Sequence, residues 1–384
     1  MRNVMKKLFA VCLVLCLLMG VSCAETQQTT TVQEIQKYGN LILSIDGTEL
    51  LYAGYTYGDI IEVEINGSTL TMPVGTSYSD VDEGELVCRV VIDEASGADE
   101  VIMAINMGDL ATTLGIAVKT KQEEEPGYHW DMLVAEPVEV RFAMKEAGGY
   151  LNEYLIRRLV RTNERSDYAH LSDEAFANFR NIATTGMGEG VLYRSSSPVN
   201  PELNRNAFAD AAVKAAGIRT VVNLANSQTV MQSYEGFAQS AYAVCNVMPL
   251  NLGIDFMAKD FQNGLAQGLR FMTENKGPYL VHCDEGKDCA GFVSALLECF
   301  MGASAQEVVE DYMITYANYY GVEKDTEQYQ AIAESNIVHT LQSAFEVEDL
   351  YQAELAAEAE AYLAEKLQLT QEEITALRLC LAGE

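Results

Sequence analysis

Residues 279–292 read Tyr-Leu-Val-His-Cys-Asp-Glu-Gly-Lys-Asp-Cys-Ala-Gly-Phe. Strand-forming residues 279–282 run straight into a short polar loop, and from Gly291 an apolar helical stretch continues to Phe300. A strand–loop–helix of this kind turns successive main-chain N–H groups inward and sets a helix N-terminus behind them. That makes an anion cradle before any side chain is counted. Cys283 stands at its base, where amides and the helix dipole favour a thiolate. Gly286 lets the backbone turn under a ligand without a Cβ in the way, and His282 supports the strand end and orients Cys283.

Outward from this loop, strands and helices alternate. Val191–Ser195 reads as a strand leading to a loop and Arg219–Leu224 as a buried parallel strand; 205–216, 261–275 and 291–300 read as helices. Ser304-Ala305-Gln306-Glu307 is a capping box that opens a further helix towards Tyr320. Such alternation predicts a mostly parallel sheet flanked by helices on both faces. A helix is expected over 150–161, and Ser172 caps a short one ending near Phe179. Residues 346–384 are rich in Ala, Glu and Leu, restart at Thr370-Gln371-Glu372-Glu373, and read as an acidic helical segment peripheral to the fold or facing a partner.

The first half has a different period. Ile60-Ile61-Glu62-Val63-Glu64-Ile65 alternates and meets Asn66-Gly67, a hairpin turn signal, as is Asp46-Gly47 after Leu41–Ile45. With the strand-like runs 69–74, 87–92 and 138–144, this predicts a small all-β, barrel-like domain over 38–148. It holds no catalytic constellation; His129-Trp130 reads as an aromatic pair supporting the sheet. The Thr/Gln-rich residues 25–37 read as a disordered linker. Residues 1–24 have a basic start (Arg2, Lys6, Lys7), an apolar run to Gly20 and small residues at Ser22-Cys23-Ala24, the pattern of a secretory signal peptide. The expected localisation is therefore extracellular or at the cell envelope, with lipidation at Cys23 as the alternative.

The 384 residues carry 56 acidic against 25 basic side chains, a formal net charge of −31. So acidic a surface repels nucleic acid and anionic headgroups. Nine cysteines and four histidines without paired spacing argue against a disulfide-stapled scaffold or a zinc site. Cys283 and Cys289 flank one loop, and a disulfide between them would need Cα atoms about 4.4–6.8 Å apart; two separate thiols is the simpler reading.

Residues 178–300 resemble the bacterial protein-tyrosine phosphatase family whose loop runs His-Cys-x-x-Gly-Lys-Asp-Arg-x-Gly. The upstream stretches Asn178-Phe179-Arg180-Asn181, Leu192-Tyr193-Arg194-Ser195-Ser196 and Gly217-Ile218-Arg219-Thr220-Val221 are similar to that family's entry motifs, in the same order. With Asp311-Tyr312-Met313 beyond the loop, the likeness spans about 150–340 and implies a tyrosine-phosphatase-like domain over 149–345. It implies removal of phosphate from phosphotyrosine, and in some members from phosphoserine, phosphothreonine or phosphoinositides, through a phosphocysteine. Cys283 matches the nucleophile and Asp288 the loop carboxylate for proton transfer. Asp284, Glu285, Gly286, Lys287 and Cys289 fall at substrate-binding positions, with His282, Arg180 and Arg194 supporting. No metal or organic cofactor is implied; the ligand is a phosphorylated protein or small phosphate ester, with a protein partner for the β-domain or acidic tail.

Two positions depart from the pattern. Cys289 stands where the family has Arg, and Ala290 where it has Ser or Thr. That Arg forks two phosphoryl oxygens, and by analogy with arginine fingers its loss is worth about 10³–10⁵ in rate. Arg180 and Arg194, in the matching family motifs, are the candidates for a substitute cation, though not for a bidentate fork in the same place. Two readings stay open: a phosphatase of weakened activity, or an inactive pseudophosphatase that binds phosphorylated ligands or scaffolds a partner.

Overall fold

The computed structural model describes residues 27–93, 95–122 and 127–384, so residues 1–24, expected to be a signal peptide, and with them Cys23, lie outside the described residues. The chain divides into two compact units between Arg157 and Arg158, later than the expected 148/149 boundary. Among the described residues no helix is long and apolar enough to cross a membrane.

The first unit is a closed seven-stranded barrel, as its alternation predicts. Its strands are β1 (Gln28–Ile35), β2 (Leu41–Leu43), β3 (Ile60–Ile65), β4 (Ser68–Gly75), β5 (Leu86–Asp93), β6 (Ala98–Ile105) and β9 (Glu139–Glu146), in the order β1-β2-β6-β5-β4-β3-β9. Two further strands, β7 (Ala117–Lys121) and β8 (Tyr128–Met132), form a separate ribbon. Ile61, Val63 and Ile65 point into the barrel with Met72, Val74, Val140 and Phe142, while Glu62 and Glu64 face out. Asn66 and Gly67 turn the β3–β4 hairpin with φ +47° and +75°, and Trp130 packs against the barrel core.

Two expectations fail here. Residues 28–35 are not a linker: β1 pairs with both β2 and β9 and closes the barrel. Its Thr and Val are good strand formers, and the long-range partners that order them are invisible in a local window. Asp46-Gly47 does not turn a hairpin; it opens the helix Gly47–Tyr52. Asp99 on β6 accepts from the Thr48 amide at 2.8 Å, so a distant strand supplies the cap.

The second unit carries a five-stranded sheet of order β10-β11-β14-β12-β13: Arg180–Asn181, Leu192–Ser195, Tyr279–His282, Thr220–Asn223 and Asn246–Pro249. All pairings are parallel except β10 with β11. β14 is fully buried at the centre, and the loop after it leaves the carboxyl ends of the strands, where open α/β sheets bind ligands. The expected helix over 150–161 is shorter, Leu151–Ile156, and ends within the first unit. The capping boxes at Ser304 and Thr370 both form.

The segment 346–384 is not peripheral. Its helices Leu355–Ala361 and Gln371–Ala382 bury Leu355, Ala359, Ile374, Leu377 and Leu381. Arg378 Nη1 donates to the Phe300 carbonyl at 2.9 Å, and Arg270 pairs with Glu373 at 2.6 Å. The central helix Asp288–Met301 is buried on every side from Cys289 to Phe300, so it is covered all round, and these helices supply one cover.

Candidate active site

The loop 283–288 is held by its carbonyls. The His282 carbonyl accepts from the Leu224 amide at 2.9 Å, and that of Asp284 from Ser197 at 3.0 Å. The Glu285 carbonyl takes the Asn178 amide (3.2 Å) and the Tyr319 hydroxyl (2.8 Å). The Gly286 carbonyl takes Asn178 Nδ2 (3.3 Å) and Arg194 Nη2 (2.9 Å), and Arg194 also reaches the Lys287 carbonyl at 3.4 Å. A carbonyl tied outward turns the other end of its peptide plane inward. Accordingly the N–H groups of Gly286 and Lys287 face the Cys283 sulfur, joined by that of Ala290 in the first turn of the following helix. Gly286 has φ +68°, and a Cβ there would lie 2.3 Å from the Ser195 carbonyl oxygen, so glycine is required.

Beneath the loop lies a buried ionic frame. Asp311 pairs with Arg180 and Arg194, each at 2.9 Å. Asn178, fully buried with φ +52°, accepts from Arg180 Nη1 (2.8 Å) and Asn318 (3.2 Å) and donates to Thr315 (3.2 Å). Burial disfavours the Asp311 carboxylate, but the two guanidiniums outweigh it and hold its pKa below the usual range. Both arginines thus have the supporting place expected of them. Arg180 and Arg194 are committed below the loop, to carbonyls and to Asp311, and do not stand in for the missing Arg.

His282 is fully buried, with Nε2 2.9 Å from the Tyr242 hydroxyl and Nδ1 3.2 Å from the Cys283 carbonyl. Burial lowers its pKa to about 4, so it is neutral at pH 7 and positions the strand end by hydrogen bonds. Burial raises the pKa of Cys283; the three amides oppose this and the Asp288 charge adds to it. Asp288, with half its side chain exposed, is raised by lost water contact despite Lys287 beside it. Burial alone would lower Lys287, but the carboxylates of Asp288 and Glu285 hold it up. Asp284 accepts from Asn200 Nδ2 at 2.8 Å. The Cys289 thiol, raised chiefly by burial, donates to the Gly253 carbonyl at 3.4 Å. Its side chain thus anchors the segment after β13, where Asp255 accepts from the amides of Met257 and Ala258. Among the described residues all six cysteines are free, and no cluster of metal-ligating side chains occurs.

Sequence reading missed Asn178 as the hub, and Thr315, Asn318 and Tyr319 altogether. A signal existed: Asp311, Thr315 and Tyr319 recur at i, i+4 and i+8 and so share one helix face.

A model of the SAM hydroxide adenosyltransferase C-terminal domain matches residues 30–123. No curated protein matches. Among solved structures, the core catalytic domain of the PP-IP phosphatase SIW14 from S. cerevisiae is 14% identical. It covers 45% of this chain and 95% of that one at a TM-score of 0.27. A variant of P. aeruginosa TpbA in complex with pTyr is 19% identical, with coverages of 45% and 92% and a TM-score of 0.29. An uncharacterized conserved protein from Thermotoga maritima is 21% identical over 30% of this chain; the match spans 35% of that protein's length, at a TM-score of 0.23. The model of the tyrosine phosphatase family matches residues 172–383, more than half of the chain and all of the loop with its frame, and the chain belongs to that family.

Proposed function

We propose that this chain is an exported phosphatase that hydrolyses phosphotyrosine, or a related phosphoserine, phosphothreonine or phosphoinositide ester, slowly and through a phosphocysteine on Cys283. The observation that supports it is the run of outward-tied carbonyls, which leaves an amide cradle over a buried cysteine. In the first step the Cys283 thiolate attacks phosphorus. The S–P bond forms as the P–O ester bond breaks, and the leaving oxygen takes a proton from Asp288, the loop carboxyl with a raised pKa. Water then attacks phosphorus, giving its proton to the Asp288 carboxylate; the O–P bond forms as the S–P bond breaks, and the thiolate returns to the amides. No step calls for a metal.

Turnover is slow for two reasons. No guanidinium of the loop forks the phosphoryl oxygens, a loss of about 10³–10⁵ in rate by analogy. Burial also leaves less Cys283 as thiolate. The raised thiol favours the second reading, a pseudophosphatase that binds phosphorylated ligands without turnover. Turnover of p-nitrophenyl phosphate and a phosphotyrosine peptide under reducing conditions separates the two, with wild type, Cys283→Ser and Cys289→Arg compared. Wild-type turnover that Cys283→Ser abolishes supports the slow enzyme; silence rescued by Cys289→Arg supports the pseudophosphatase. Silence in all three removes catalysis. Fractionation of cells expressing the full chain tests export.

A further inference from the structure

We infer that Arg161 supplies the guanidinium that the loop lacks, with Glu285 holding it beside the cradle until a phosphate arrives. The inference rests on the proposed phosphate site and names a residue ahead of the family match, outside every motif the sequence singled out.

A phosphoryl group in this loop meets amides but no loop guanidinium, because Cys289 faces Gly253. Arg180 and Arg194 are held below. Two cations meet at the loop's own Glu285 instead: Arg161 Nη2 at 2.7 Å from Oε1 and Lys287 Nζ at 3.0 Å from Oε2. Arg161 is the one built to fork, since a lysine ammonium is a point charge. Its guanidinium lies 5.2 Å from the Tyr319 ring centroid and 6.0 Å from that of Tyr320, so its plane is restrained before a ligand comes. Its Nη1 is shielded from solvent and has no hydrogen-bond acceptor, while its Nη2 is held on the loop's Glu285. Buried donors of this kind are costly unless a ligand or water completes them.

Glu285 is suited to the reserve role. Asn178 and Tyr319 fix its main-chain carbonyl, so its carboxylate moves by side-chain rotation with the loop in place. Arg161 and Lys287 overcome its burial and hold its pKa below the usual carboxylate range, so it is ionised at neutral pH. It therefore competes with phosphate for the same donors. Rotation of Glu285 away would leave Arg161 two donors for phosphoryl oxygens, the chemistry of a fork supplied from outside the loop.

The test is tungstate binding by calorimetry on the full chain, with thermal melts of each variant. Arg161→Ala should weaken tungstate binding about 10- to 100-fold, Arg161→Lys should fall between the two, and Glu285→Gln should tighten it. In the Cys289→Arg background the Arg161→Ala penalty should shrink, because the restored fork takes over the contact. That coupling is a readout that loss of packing on Tyr319 would not produce. Wild-type affinity in Arg161→Ala overturns the inference, as does an undiminished penalty in the Cys289→Arg background. If wild type and Cys289→Arg both fail to bind tungstate, the phosphate site itself falls and the role of Arg161 with it.

Discussion

Replacing Asn178 with Asp tests whether the loop is held open by its carbonyls. Asp keeps the side-chain size, tolerates the left-handed backbone at φ +52° and still accepts from Arg180 and Asn318. What it removes is Nδ2, and with it the bonds to the Glu285 carbonyl, the Gly286 carbonyl and Thr315, at 3.2, 3.3 and 3.2 Å. Neither carbonyl is orphaned, since Tyr319 still serves Glu285 and Arg194 still serves Gly286. Three buried bonds at roughly 1 kcal/mol apiece set the loss at about 3 kcal/mol, and a carboxylate oxygen facing two carbonyls adds to it. In a unit of this size that lowers Tm by about 6–12 °C. The larger effect should be on the ligand: with two carbonyls less firmly tied, the Gly286 and Lys287 amides lose their aim, and tungstate affinity should fall more than tenfold even at a temperature where the variant is fully folded. Circular-dichroism melts and calorimetric titration measure the two separately. An Asn178→Asp protein that binds tungstate as wild type does would refute the outward-carbonyl account, whatever its Tm.

Three other outcomes follow from particular groups. Gly286→Ala pushes a Cβ to 2.3 Å from backbone that cannot yield; it should cost about 3 kcal/mol or more and abolish tungstate binding. Gly217→Ala, equally left-handed but with nothing within 4 Å, should cost only about 1 kcal/mol; equal urea midpoints for the two would contradict this. His282, with a folded pKa of about 4 against an ordinary 6.5, takes a proton more readily when unfolded. Stability should therefore fall as pH drops from about 6.5 through 4, by on the order of 3 kcal/mol, and His282→Gln should flatten that limb of a urea-midpoint profile. Glu298 is fully buried with both carboxyl oxygens unpaired, facing Arg194, Arg180, Asp311 and Thr184, and burial raises its pKa well above the usual value. A raised carboxyl favours folding at the acid end and loses that contribution as pH climbs through its folded pKa, so Glu298→Gln should be more stable than wild type in alkali and no less so at neutral pH; a wild-type profile matching the variant's up to pH 9 would show Glu298 ionised in the fold.

Much of the fold is legible because it is local. The strand-forming run 279–282 and the mostly apolar stretch after the loop read as a buried strand and a buried helix, and Ser304 and Thr370 announce their helices by cap chemistry alone. What failed was long-range. β1 is a strand because β2 and β9 pair with it, and the helix that starts at Gly47 has its Thr48 amide capped by Asp99, fifty-one residues further on. The C-terminal helices look peripheral by composition, yet the central helix needs a cover that no local rule assigns to them.

The loop shows the same division more sharply. Its cysteine, its glycine and its missing arginine stand in one window of sequence, so the chemistry at stake is readable there. Charge placement is not, because a guanidinium's role depends on where its far end lands. Arg180 and Arg194 sit in family motifs and were the natural substitutes, but the parallel register of β11 with β14 sets Arg194 against Val281, one residue short of His282. From there its guanidinium reaches the outside of the loop and meets carbonyls rather than the cradle. Arg161 belongs to no motif and yet shares a carboxylate with Lys287 at the loop itself. A lost active-site charge is therefore better sought among cations that touch the loop's own acidic side chains than among those its motifs place nearby. In this chain Glu285 is the marker: a carboxylate in a phosphate loop is tolerable only where neighbouring cations hold it, and those cations are the ones a phosphate would inherit.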